Sequence, residues 1–172
     1  MVYINSSTFV INSWYKHCIE AFEVTTIDLN TYTGVCGMQG SQLTGYRIND
    51  VRLLWPMGAA FDGSQMIYSS SSGHEKIIDI DMTSDMVYEV CGTSGMFATS
   101  LVFNHSSQSL FVALNHAVGR VEISTSEFTV LSGSATRGDS IGDLRTTDYS
   151  NPFGLLQVNA SKLLISDRNN NR

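Results

Sequence analysis

Charge is scarce in this chain: Asp, Glu, Lys and Arg make up 15% of its 172 residues, and they leave a net charge of −6. No cluster of Lys or Arg interrupts that acidity, which argues against a phosphate-backbone partner, so no nucleic acid is expected. No apolar run approaches the roughly 20 residues of a membrane-spanning helix. There are two prolines, Pro56 and Pro152, so most turns must be made by Gly, Asn, Asp and Ser. Three cysteines, Cys18, Cys36 and Cys91, fit no zinc or Cys-x-x-Cys spacing. The opening MVYINSSTFV lacks the basic and apolar regions of a secretory signal. A nucleophile elbow, a phosphate loop and a Ser-His-Asp order are all missing, and no residue is singled out as catalytic.

Apolar periodicity of the helical kind is also not sustained over three turns. What is plentiful is Ser, Thr, Asn and Gly between short β-branched and aromatic runs, which predicts an all-β chain rich in loops. The last part of the sequence is the clearest. Asn151-Pro152-Phe153-Gly154 leads into an apolar run, Leu155 to Val158, and the turn Asn159-Ala160-Ser161-Lys162. A second run, Leu163-Leu164-Ile165, ends in Ser166-Asp167-Arg168-Asn169-Asn170-Asn171-Arg172. Two such runs around a short turn predict a β-hairpin.

This stretch resembles the first half of an NHL repeat: a proline-glycine opening, a strand, a turn, and a strand closing on Asp-x-x-Asn-x-Arg. Earlier parts of the chain divide into looser units of the same kind. The interval from Gly37 to Pro56 equals that from Gly133 to Pro152, and the interval from Met66 to Lys76 equals that from Leu110 to Arg120. Gly92 and Gly133 lie one period apart, within the ~40–50 residues of a four-stranded blade. The expectation is an all-β, NHL-type β-propeller of about three and a half four-stranded blades, a single partial propeller within a larger ring. Its blade pieces fall at residues 1–37, 52–92, 97–133 and 138–172. In the first piece the opening strand is expected to be missing; strands are expected at Thr8-Phe9-Val10-Ile11, Val24 to Leu29 and Tyr32 to Gly37, with a turn at Asn30-Thr31. An ordinary β-sandwich is the competing architecture, disfavoured by the recurrent intervals. Arg172 stands where a third strand of the last blade would begin, so the rest of a longer chain is an expected partner.

Asn5-Ser6-Ser7, Asn104-His105-Ser106 and Asn159-Ala160-Ser161 each satisfy the N-x-S/T pattern. They make Asn5, Asn104 and Asn159 candidate glycosylation sites and favour an extracellular or secretory-lumen setting. Cys36 and Cys91 stand in matched Val-Cys-Gly contexts and read as small buried residues, with a Cys18–Cys36 disulfide as the alternative.

The resemblance implies that Asp167, Asn170 and Arg172 hold the loop and the neighbouring blade rather than a ligand. Arg137-Gly138-Asp139-Ser140 spells the tetrapeptide that integrins recognise, but the NHL pattern places Gly-Asp in this loop anyway, so a structural loop is the preferred reading. His17, His74 and His116 fall in matched loops. NHL-type propellers include a zinc-dependent amidating lyase, yet its ligand set does not map onto this chain. No cofactor is assigned; zinc or calcium would enter only under the alternative, a metal-dependent lyase or hydrolase with a site in the propeller channel. The favoured function is a protein- or glycan-binding or structural module rather than an enzyme. Uneven loops on a rigid ring carry recognition, which nominates Trp14, Tyr15, Lys16, His17, His74, Glu75, Asn115 and His116.

Overall fold

The computed structural model describes residues 1–172. Val2–Tyr3 (β1), Thr8–Ser13 (β2), Cys18–Glu23 (β3) and Asp28–Thr33 (β4) form a first antiparallel sheet in chain order. Tyr46–Arg47 (β5), Pro56–Phe61 (β6), Met66–Ser71 (β7), Lys76–Asp81 (β8) and Met86–Gly92 (β9) form the second, with β5 added outside β9. Ala98–Asn104 (β10), Ser109–Leu114 (β11), Ala117–Glu122 (β12) and Glu127–Gly133 (β13) form the third, and Pro152–Asn159 (β14) pairs with Lys162–Asp167 (β15).

Successive sheets pack face to face because the strands of the second sheet alternate their side chains between two cores. In β7, Ile67 points into a core shared with Val10 and Ile19 of the first sheet, while Tyr68 points into one shared with Leu101, Phe103 and Val121 of the third. Ile78 and Ile80 join the first core, as do Val51 and Leu53 from the connection before β6. The close approach of the inner strands explains why small residues open β6. A Cβ on Gly58 would meet Ser100 Cα at 2.8 Å and Leu101 N at 2.9 Å. Four-stranded meanders stacked in sequence through apolar cores make an all-β propeller arc.

The first sheet departs from the expected strands. Val24, Thr25, Thr26 and Ile27 are β-branched and read as a strand, but they lie at the turn between β3 and β4. Ile27 there takes φ 59° and is 78% exposed. The partners decide the register: Phe22 pairs with both Phe9 and Leu29, so residues 18–23, not 24–29, face β2. Val2–Tyr3 supplies the opening strand that the sequence was expected to lack, pairing with Val10 and Phe9.

The cysteines also differ from the favoured expectation. Cys18 and Cys36 form a disulfide, tying β3 to the segment just beyond β4. Cys91 is a free, buried thiol inside β9. The matched Val-Cys-Gly contexts therefore serve different purposes, a cross-link in one sheet and core packing in the next.

Candidate binding face

Each sheet places its turns at two opposite ends. At one end, the β1–β2, β6–β7, β10–β11 and β14–β15 turns are built the same way. Asn5, Asp62, Asn104 and Asn159 accept, through Oδ1, the backbone N–H of the Ser two residues later: Ser7 at 2.9 Å, Ser64 at 2.8 Å, Ser106 at 3.0 Å and Ser161 at 2.9 Å. This is an Asx turn, and it explains the Asx-x-Ser pattern without reference to glycans. Asp62 shows the point, since Asp62-Gly63-Ser64 makes the turn and is no glycan acceptor. Asn5 and Asn159 are exposed, whereas Asn104 is 6% exposed.

The other end carries the loops nominated from the sequence. The β2–β3 turn holds Trp14, Tyr15, Lys16 and His17, and the β7–β8 turn is a single helical turn, Ser72–His74, closed by Glu75. After β15 a matching turn, Arg168–Asn170, closes on Asn171. His17, Glu75 and Asn171 all take φ between 54° and 57°, the left-handed residue that ends each turn. The β11–β12 connection is shorter and holds Asn115 and His116.

These candidates divide into two kinds. Trp14 (41% exposed) and Tyr15 (84%) project outward with ring centroids 4.4 Å apart. Lys16 is exposed too, but it pairs with Glu20 at 2.8 Å. The half-buried ones hold the loops in place. His17 Nδ1 accepts the Trp55 N–H at 3.4 Å, and His74 Nδ1 bonds the Ser71 hydroxyl at 2.8 Å. Burial lowers the His74 pKa below its usual value. Glu75 N–H donates to Ser72 at 3.0 Å and its carbonyl accepts from Thr93 at 2.8 Å. The Asn115 carbonyl accepts from Asn151 at 2.8 Å, while Asn115 Oδ1 and His116 Nδ1 are buried without a partner. The one grouping of three metal-ligating side chains is Cys18, Glu20 and Cys36, and its two sulfurs are joined as the disulfide.

Two residues of this face were not nominated from the sequence. Trp55, 41% exposed, packs edge-on against Phe97, 41% exposed, at 6.5 Å between centroids. Trp55 sits at φ 52°, a left-handed conformation that is uncommon for so bulky a residue and costs about 1–3 kcal/mol. Neighbouring loops hold it there: His17 takes its N–H, and its carbonyl accepts from Ser72 at 3.2 Å. A signal existed, because Trp55 and Phe97 each stand one residue before the inner strand of a sheet, β6 and β10.

The polar tail of the last hairpin holds the loop before β14, one half of what the repeat resemblance implies. Asp167, 2% exposed, accepts from Ser150 N–H at 2.8 Å, Asn170 Nδ2 at 2.7 Å and Arg172 Nε at 3.2 Å. Arg172 also donates to the carbonyls of Asp139, Ser140 and Asp148, at 2.8, 3.3 and 2.7 Å. Asn170 donates to the Gly138 carbonyl at 2.8 Å. The Arg137-Gly138-Asp139 segment is thus strapped down by its backbone, with the Arg137 and Asp139 side chains exposed.

No protein-family model matches the chain, and no curated protein matches it by sequence. Solved structures do. The chain is similar to an auxiliary nutrient binding protein from Bacteroides thetaiotaomicron, at 18% identity and a TM-score of 0.65, over 96% of this chain and 44% of that one. It is similar to a structure from a nidogen/laminin complex, at 12% identity and a TM-score of 0.67, over 96% of this chain and 55% of that one. A Bacteroides thetaiotaomicron protein of unknown function shares 16% identity with a TM-score of 0.62, over 97% and 38%. The chain spans about half the length of these structures or less. What is common to them at such identities is the fold, an all-β propeller.

Proposed function

We propose that the chain is part of an extracellular or lumenal NHL-type propeller whose recognition surface is the end carrying Trp14, Tyr15, Trp55 and Phe97. The observation that carries this reading is the Trp55–Phe97 pair. Two large aromatics left 41% exposed, one of them in a strained backbone, represent stability given up on a surface that packing alone would have covered. Aromatic anchors on a rigid scaffold are how binding surfaces recognise protein or glycan. The similar structures include one described as nutrient binding and one from a protein complex, which supports a binding role for this architecture.

The disulfide supports an oxidising compartment. We further assign glycans to Asn5 and Asn159, and place additional blades against the two open sheet faces. On the first sheet that face is the cross-strand row Tyr3, Phe9, Phe22 and Leu29. On the last hairpin it is Leu156 and Leu164, 60% and 49% exposed.

The test is binding of the protein to arrays of extracellular-matrix proteins and polysaccharides, comparing wild type with Trp55→Ala and Phe97→Ala. Both variants should lose the wild-type signals by about tenfold or more while keeping the far-UV spectrum. Signals that survive both substitutions would refute the aromatic surface.

A further inference from the structure

At the last hairpin a cavity of about 650 Å³ opens with no hydrophobic residue in its lining. Arg137 enters it from the loop before β14, and Arg168, Asn169 and Asn171 from the turn after β15. That turn is the counterpart of the one bearing His74, so the cavity lies at the same end of the strands as the aromatic surface.

Two arginines that form no ion pair line this one cavity. The four ion pairs join Lys16 to Glu20, Lys76 to Glu89, Arg120 to Glu122 and Arg172 to Asp167. Arg137 and Arg168 belong to none of them, as is also true of Arg47, Arg52, Arg145 and Lys162; what sets these two apart is that both line one cavity. Arg168 is nonetheless positioned, with its guanidinium 5.6 Å above the Phe153 ring. The floor beneath is rigid, since the Asp167 and Arg172 network fixes both segments that supply the arginines.

We infer that this cavity is a binding site for a carboxylated sugar, a hexuronic acid residue. A guanidinium matches a carboxylate with two parallel hydrogen bonds. The carboxamides of Asn169 and Asn171 offer both donors and acceptors to hydroxyl groups. Asp139, on the same lining, accepts hydrogen bonds and repels an anion. It therefore suits a ligand that brings hydroxyl protons beside its negative charge, which sulfate does not. The absence of apolar lining excludes a greasy ligand. This inference deepens the glycan side of the proposed function and rests on it.

The experiment is calorimetric titration at low salt with galacturonate, galactose and inorganic phosphate as probes. Wild type should bind galacturonate with a Kd on the order of 1 mM and galactose at least about tenfold more weakly. Arg137→Ala and Arg168→Ala should each weaken galacturonate about tenfold, and Arg168→Lys should fall between, keeping charge without the fork. Trp55→Ala should leave this affinity unchanged, so loss of the aromatic surface and loss of this site are separately visible. Galacturonate that fails to bind, or binds equally to both alanine variants, would overturn the inference. So would phosphate binding as tightly as galacturonate, because the site would then read charge alone.

Discussion

Ser161 donates to Oδ1 of Asn159 twice, through its backbone N–H at 2.9 Å and through its hydroxyl at 3.1 Å. Ser7 does the same to Asn5, at 2.9 and 3.2 Å. Asp62 takes both contacts from Ser64, one on each carboxylate oxygen. One turn design thus repeats around the arc, and the sequons are its by-product wherever the first residue is Asn. Whether an Asn also carries a glycan is then a question of access. In a secretory host Asn5 and Asn159 should be modified and Asn104 left bare, by peptide mass after glycosidase digestion. Asn159→Asp should remove that glycan and keep the turn, changing stability by no more than about 0.5 kcal/mol.

The disulfide closes a loop with a sequence separation of 18. Constraint of the unfolded chain on that scale is worth about 3 kcal/mol. Replacing both Cys18 and Cys36 with Ser should lower the urea midpoint accordingly, with hydrogen-exchange protection lost first in β3 and β4. Cys91 should remain silent to alkylating agents in the native protein, because burial, with a smaller push from Glu89, raises its pKa to about 11.

Asp79 lies in β8 with a buried Oδ1 that has no hydrogen-bond partner. Burial, reinforced by nearby Asp81, raises its pKa to about 6, against 3.8 for the free group. An acid with a raised folded pKa binds its proton more tightly in the folded state. Its contribution to stability is therefore most favourable below about pH 4, declines as pH rises through about 6, and is constant above. Allowing for partial solvent screening, the loss is about 1–2 kcal/mol. Asp79→Asn should stabilise the protein at pH 7 and flatten thermal midpoints measured between pH 4 and 7. An unchanged slope would mean that another group titrates there.

Arg172 matters through Asp167. Removing the guanidinium leaves a 2% exposed carboxylate short of a charged partner, at a cost of about 3 kcal/mol. It also frees the loop carbonyls of Asp139, Ser140 and Asp148. Arg172→Ala should raise exchange rates across residues 138–148, and Arg172→Lys should rescue little, since one ammonium cannot span the same acceptors.

The second and third sheets were legible because their strands alternate cleanly and their intervals match. The first sheet was not, because Val24 to Ile27 has strand propensity and turn geometry, and only pairing with Phe9 settles it. The Cys18–Cys36 bond was open for a similar reason, since spacing does not fix pairing. On the candidate face, loop position picked out the exposed Trp14 and Tyr15 together with half-buried residues such as His17 and Asn115, because polarity alone does not separate an exposed side chain from a brace. Trp55 and Phe97 stand directly before β6 and β10, outside the uneven loops from which the candidates were drawn.

The most direct measurement of the central claim uses the protein's own reporters. The two tryptophans in the sequence, Trp14 and Trp55, both lie on the proposed surface. A ligand found on the arrays should be titrated against tryptophan emission, with Trp14→Phe and Trp55→Phe assigning the signal. The account predicts a blue shift that saturates with binding and is carried largely by Trp55. Binding confirmed by calorimetry with no change in the emission of either tryptophan would place the ligand elsewhere and contradict it.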